Sequence, residues 1–195
     1  MANFLFFLAS AILLVVPVLY LVKTVQGKVT PNPVTFLLRS VVAVMNLVTY
    51  FLTNGEDVWK SSVTIVSTAG LVSIFLYAFY RGKFSRINAF DIVAGTIAAM
   101  VAVMWRMSSD QDPVQANLLL QSAMLISFVP AIRGVLAGVA KEEVLPWALA
   151  TTTYVLMTTA LVLTSATWQE FVHPVCVGIL GNGGLALAVA YKNRV

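Results

Sequence analysis

Arg39 stands in the run "FLLRSVV", a guanidinium among apolar neighbours. Leaving such a charge in hydrocarbon costs about 2.5–3.5 kcal/mol on insertion scales, so it needs water, an opposite charge or a headgroup within reach. Its planar fork of N–H donors suits anions and carbonyl oxygens. Arg39 is therefore a candidate to hold an anionic or carbonyl-bearing ligand. Two other settings would satisfy it: its long stem can snorkel to the headgroups, or it can pair with Asp91, which opens a later apolar run. Asp91 in turn could cap a helix, pair with Arg86 or relay protons. Asn182 lies in "GILGNGGLAL", where three flanking glycines, Gly181, Gly183 and Gly184, let a ligand or another helix approach the backbone. Asn46 and Tyr50, and likewise Asn117 and Gln121, are four residues apart and share a helix face. With Thr153 and Tyr154 they are candidate solute-binding residues, and each could equally serve as an interhelical hydrogen-bonding group.

Enzymatic chemistry finds little support. The sequence has no HExxH, no GxSxG and no phosphate loop. Its single histidine, His173, and its single cysteine, Cys176, are close in sequence but form no recognisable constellation, and one histidine makes a poor metal site. No cofactor is expected. The one cysteine, Cys176, has no internal disulfide partner.

The elements that must position these residues follow from composition. The chain is 59% hydrophobic and 10% charged, against about 25% charged in soluble domains. Apolar runs near the ~20 residues that cross a bilayer fall at 4–22, 34–53, 61–80, 89–107, 114–137, 144–165 and 171–191. They fill the chain as one integral membrane domain of seven helices. The first run has no preceding Lys or Arg, and its small-residue stretch Ala9-Ser10-Ala11 falls mid-run, so it is expected to be a spanning helix and not a signal peptide. The connections after runs 1, 3 and 5, with the C-terminus, carry Lys23, Lys28, Arg81, Lys83, Arg86, Arg133, Lys141, Lys192 and Arg194. The opposite side carries Lys60 and Arg106. This asymmetry predicts the N-terminus outside and the C-terminus in the cytoplasm. The partners expected are lipid and a small solute. Nucleic acid is not expected, despite the net charge of +4, and assembly into a homo-oligomer is left open. Trp59, Trp105, Trp147 and Trp168 fall at run ends, where an interfacial aromatic belt would place them.

A second pattern concerns proline. Shifting the sequence by 113 residues lays Pro17 on Pro130, Lys28 on Lys141, Pro33 on Pro146, Gly70 on Gly183 and Arg81 on Arg194. Proline inside a helix removes a backbone hydrogen bond and clashes with the preceding turn, whereas proline at the first turn costs little. The pattern therefore predicts two three-helix units, 5–82 and 118–195, joined by a linker helix at 89–107. An odd linker between odd units gives both the same orientation, a parallel repeat. Pro17 and Pro130 should break the first helix of each unit at matching depth and act as hinges, next to groups that satisfy the freed carbonyls.

The three-plus-one-plus-three plan with paired prolines resembles the PQ-loop superfamily, which includes the SWEET and SemiSWEET sugar transporters. The stretches "KVTPNPVTFLLRSVVAVMNLVTYF" and "LISFVPAIRGVLAGVAKEEVLPWAL" look like the second-helix opening and the fifth-to-sixth helix hairpin of its small bacterial members. The resemblance implies a transporter that works by alternating access between two bundles. The glutamine of the naming motif is absent, since Val18 follows Pro17 and Ala131 follows Pro130. Sugar-carrying members pair asparagines in the third and seventh helices. Here Asn182 could fill the seventh, and Ala69 stands at the matching position. With no further acid inside a span, the expectation is facilitated movement down a gradient. A non-transporting accessory or receptor-like protein of the same fold is the alternative.

Overall fold

The computed structural model describes residues 1–54, 58–108 and 113–194; the side chains of 49–61, 102 and 108–114 lie outside that description. Helices α1 (Ala2–Val25), α2 (Pro33–Asn54), α3 (Val58–Arg81) and α4 (Ala89–Ser108) are followed by two shorter pieces, α5 (Pro113–Ile126) and α6 (Phe128–Leu136). Then come α7 (Val144–Leu163) and a last rod made of α8 (Trp168–Val172), a π-helical segment (His173–Gly181) and α9 (Asn182–Lys192). The architecture is all-helical, and among the described residues no strand occurs. Among the described residues, counting α5 with α6, and α8 through α9, as single rods gives seven; six are long and apolar enough to cross a membrane, and the described part of α2, Pro33–Val48, is apolar as well.

α1 packs against α3 and α7, α2 against α3 and α5, α4 against α5, and α6 against α9. Outward faces are apolar: Phe4, Phe7, Leu14 and Val18 on α1, and Ile92, Val93, Met100 and Val103 on α4, are all more than half exposed. Apolar surface of that extent marks contact with something other than water. Inside, Tyr20, Phe36, Phe128 and Trp147 form one aromatic cluster with ring centroids 5.2–6.5 Å apart. Trp147 is 5% exposed, so it belongs to this core and not to an interfacial belt; Trp168 is 59% exposed. Trp59 falls outside the described side chains.

Helix ends explain how the connections fold. α1 closes on Gly27 at φ +71°, with Lys28 N–H bonding Lys23 C=O and Gly27 N–H bonding Thr24 C=O. α6 closes the same way on Gly138 at φ +72°, with Val139 N–H to Gly134 C=O and Gly138 N–H to Val135 C=O. Both are Schellman ends, in which glycine adopts the left-handed conformation at no side-chain cost. The two connections then meet. Thr30 N–H donates to Lys141 C=O at 2.8 Å, Lys141 N–H donates to Thr30 Oγ1 at 2.8 Å, and Lys23 pairs with Glu143 at 2.8 Å.

The prolines depart from expectation. α1 continues as α-helix through Pro17, whose ring sits over Gly70, where an added Cβ would lie 2.9 Å from Cγ. One missing hydrogen bond does not break a 24-residue helix when the facing helix makes room for the ring. At the matching place the helix does halt, at Ser127, three residues before Pro130. The largest backbone departure is the π-helical segment, which the proline pattern did not anticipate.

Candidate functional site

Asn32 caps α2, its Oδ1 accepting Thr35 N–H at 2.9 Å, and its Nδ2 donates to Asp91 at 3.1 Å. Asp91 also accepts Asn88 N–H at 2.9 Å, while Asn88 Oδ1 accepts the N–H groups of Phe90 and Asp91. Asp91 is thereby spent on capping α4 and tying it to α2, and Arg39 is not its partner. Nor does Arg39 reach outward: it is 6% exposed. Its guanidinium lies 4.1 Å from the centroid of the Phe128 ring and 5.4 Å from that of Trp147, a cation–π setting. Nη2 donates to Asn182 Oδ1 at 3.3 Å, and Nε and Nη1 are buried without a partner.

Asn182 is positioned by the π-helical segment. Its Nδ2 donates to Gly178 C=O at 2.9 Å and to Val177 C=O at 3.4 Å, which turns Oδ1 toward Arg39. The glycines here serve close packing. A Cβ on Gly178 would come within 2.2 Å of the Tyr154 ring, and one on Gly181 within 2.4 Å of Phe128.

Beside Arg39 lies a cavity of about 50 Å³, lined by Pro17 and Tyr20 of α1, Phe36 of α2, Ser67, Gly70 and Ile74 of α3, Trp147 and Tyr154 of α7, and Asn182. The structure thus brings together Arg39, Tyr154, Asn182 and Pro17. It gathers the remaining amides elsewhere. Gln121 Nε2 donates to Asn46 Oδ1 at 3.2 Å and to Asn117 Oδ1 at 2.7 Å, and His173 Nδ1 meets Gln121 Oε1 at 2.7 Å. This knot links α2, α5 and the π-helical segment, with the amides engaged by one another. Asn46 is seven residues beyond Arg39, roughly 10 Å along the helix. Thr153 is fully buried, its hydroxyl donating to Leu149 C=O of its own helix at 3.1 Å. Tyr154 OH meets Ser67 Oγ at 3.2 Å. Pro130 is buried on α6 and does not line the cavity. Tyr50 lies outside the described side chains.

Two polar residues near the site are not among the solute-binding candidates. His173, weighed only as a metal ligand, is joined to Gln121. The other is Glu142, in the connection before α7. It accepts Tyr20 O–H at 2.7 Å and Trp147 Nε1–H at 2.9 Å. Burial pushes its carboxyl up to about 8, against the opposing influence of those two hydrogen bonds and of Arg39. The folded pKa lies above the ordinary 4.5, so between these values the native state holds a proton that the unfolded chain has lost. Stability is then fullest below the window and is lost as pH rises through about 8. Thermal melts should show it, with a slope of at most ~1.4 kcal/mol per pH unit, reduced by water reaching this half-buried connection. Glu142→Gln should flatten the profile; an unchanged profile in that variant would refute the assignment.

Comparison with family models, curated proteins and solved structures finds no match for this chain.

Proposed function

We propose that the protein is a membrane carrier for a small polar solute, moving it by alternating access between two three-helix bundles and down its gradient. The observation that carries this reading is Arg39: a buried guanidinium with unpaired donors, beside a cavity between helices of both bundles. A purely structural arginine is ordinarily matched by a buried partner for each donor. Helix packing supports the two-bundle plan. α1, first in its triplet, packs on α7, second in the other; α5 and α6, first in the second triplet, pack on α2. This reciprocal contact is what a parallel repeat with α4 as linker requires. The reading fits the resemblance to PQ-loop and SWEET-like proteins, in a bacterial inner membrane with the N-terminus outside. The second reading is a receptor-like or accessory protein that binds without transport. It is favoured by the unbroken course of α1 through Pro17, which gives one bundle no visible hinge.

Purified protein in liposomes, screened for uptake of labelled organic acids, amino acids, sugars and vitamins, separates the two. A carrier should equilibrate one solute without concentrating it against its gradient. Saturable binding of a solute that never crosses would select the second reading.

A further inference from the structure

We infer that the Arg39 cavity is a binding site for a small organic monocarboxylate. This rests on the reading above that the cavity is where the solute sits, and it names the solute's chemistry.

The donors come first. A guanidinium has five N–H groups; the one on Nε and the two on Nη1 are buried and unpaired. Nη2 gives one of its two hydrogens to Asn182. Its hydrogens face opposite edges of the guanidinium, one beside Nε and one beside Nη1. Whichever Asn182 takes, the other stands next to an unpaired neighbour, so one edge keeps a two-donor fork. The guanidinium carbon lies 4.1 Å from the Phe128 ring centroid, which closes approach from that side. In-plane, two-pronged recognition is the geometry of a carboxylate.

The charge balance comes second. The acids of this core are committed elsewhere: Glu142 to Tyr20 and Trp147, Asp91 to Asn32 and Asn88, Glu143 to Lys23. Arg39 therefore brings one positive charge, which one negative charge offsets; a dianion such as sulfate would leave a net charge in an apolar site. The walls are third. Phe36, Leu71, Ile74, Pro146 and Ala150 supply hydrocarbon, and the polar groups of Tyr20, Trp147, Ser67 and Tyr154 in the lining are already bonded to Glu142 or to each other. A sugar would leave most of its hydroxyls unpaired there. The free space, about 50 Å³, suits a short tail, roughly acetate to butyrate in size.

The test is calorimetry and thermal shift on the full chain in nanodiscs, with acetate, propionate and butyrate, and with butyramide and sulfate as contrasts. Butyrate should bind at least tenfold more tightly than butyramide and than sulfate. Arg39→Gln should lose that preference, and Arg39→Lys should keep part of it. Equal affinity for butyrate and butyramide would overturn the inference, and needs no variant. So would sulfate binding more tightly than butyrate, or a folded Arg39→Gln protein that keeps the preference. Butyrate binding without uptake would leave the site standing and remove the carrier reading. Uptake of a neutral solute unaffected by butyrate would keep the carrier and remove the site.

Discussion

Alanine at Gly178 should lower the thermal unfolding midpoint sharply, and alanine at Gly181 should follow it. Both positions are buried. At Gly178 the added methyl would meet Tyr154 Cγ at 2.2 Å and Cβ at 2.5 Å; ring rotation about χ2 moves neither, and Cβ is fixed to the α7 backbone. At Gly181 it would meet Phe128 Cε2 at 2.4 Å. That ring is 1% exposed and lies over Arg39, so its displacement also disturbs the site. Overpacking of this kind costs about 1–3 kcal/mol, and Gly178 should lie at or beyond the upper end. Gly183 is the internal control. A Cβ there would meet Thr151 Cγ2 at 3.5 Å, an ordinary contact. Alanine at Gly183 should be neutral or slightly stabilising, because glycine is the poorer helix former by about 1 kcal/mol. Melts of the three variants in one detergent decide it; equal midpoints would show that the π-helical segment does not pack as described.

Arg39→Leu should separate stability from binding. Removing a buried charge whose donors are mostly unpaired relieves a desolvation cost, and well-packed apolar replacements of buried charges are often neutral or stabilising by about 1–4 kcal/mol. Against this stand the cation–π contacts with Phe128 and Trp147, each about 0.5–2 kcal/mol, and the single bond to Asn182. The expected balance is an unfolding midpoint equal to or above the parent's, with binding of an anionic solute reduced at least a hundredfold. A midpoint that falls steeply while the remaining folded protein binds as before would make Arg39 a structural residue and end its role as a ligand group.

Much of the helical plan could be read from apolar run length alone. The run at 144–165 corresponds to Val144–Leu163 and the run at 89–107 to Ala89–Ser108. Arg39 and Asn182 stood out because a polar group in an apolar run must find a partner, and each is one of the other's. Periodicity also placed Asn117 and Gln121 on one face, and they do bond. What escaped notice depends on chain geometry that no local pattern encodes. "KEE" at 141–143 reads as a solvated charged turn. Glu142 comes to lie under Tyr20 only because its connection folds back onto Thr30. Pro17 signals a break that Gly70, distant in sequence, makes unnecessary. The π-helical segment has no periodic signature at all, since its apolar residues surround the whole rod.

That segment has a bearing on how length changes in the gene would act. A π-helical turn carries more residues per turn than an α-helical one and is closed by bonds reaching one residue further back. Loss of one codon within His173–Gly181 is therefore the change best able to return the rod to α geometry without breaking it. Tightening of the wide turns then offsets part of the rotation that a lost residue would cause, so the face of α9 moves by less than the roughly 100° that one residue represents in an α-helix. A residue lost from α7, which has no wide turn, would carry that rotation in full. The bond from Arg39 to Asn182 is thus better buffered against a one-codon loss along this stretch than a regular helix would allow.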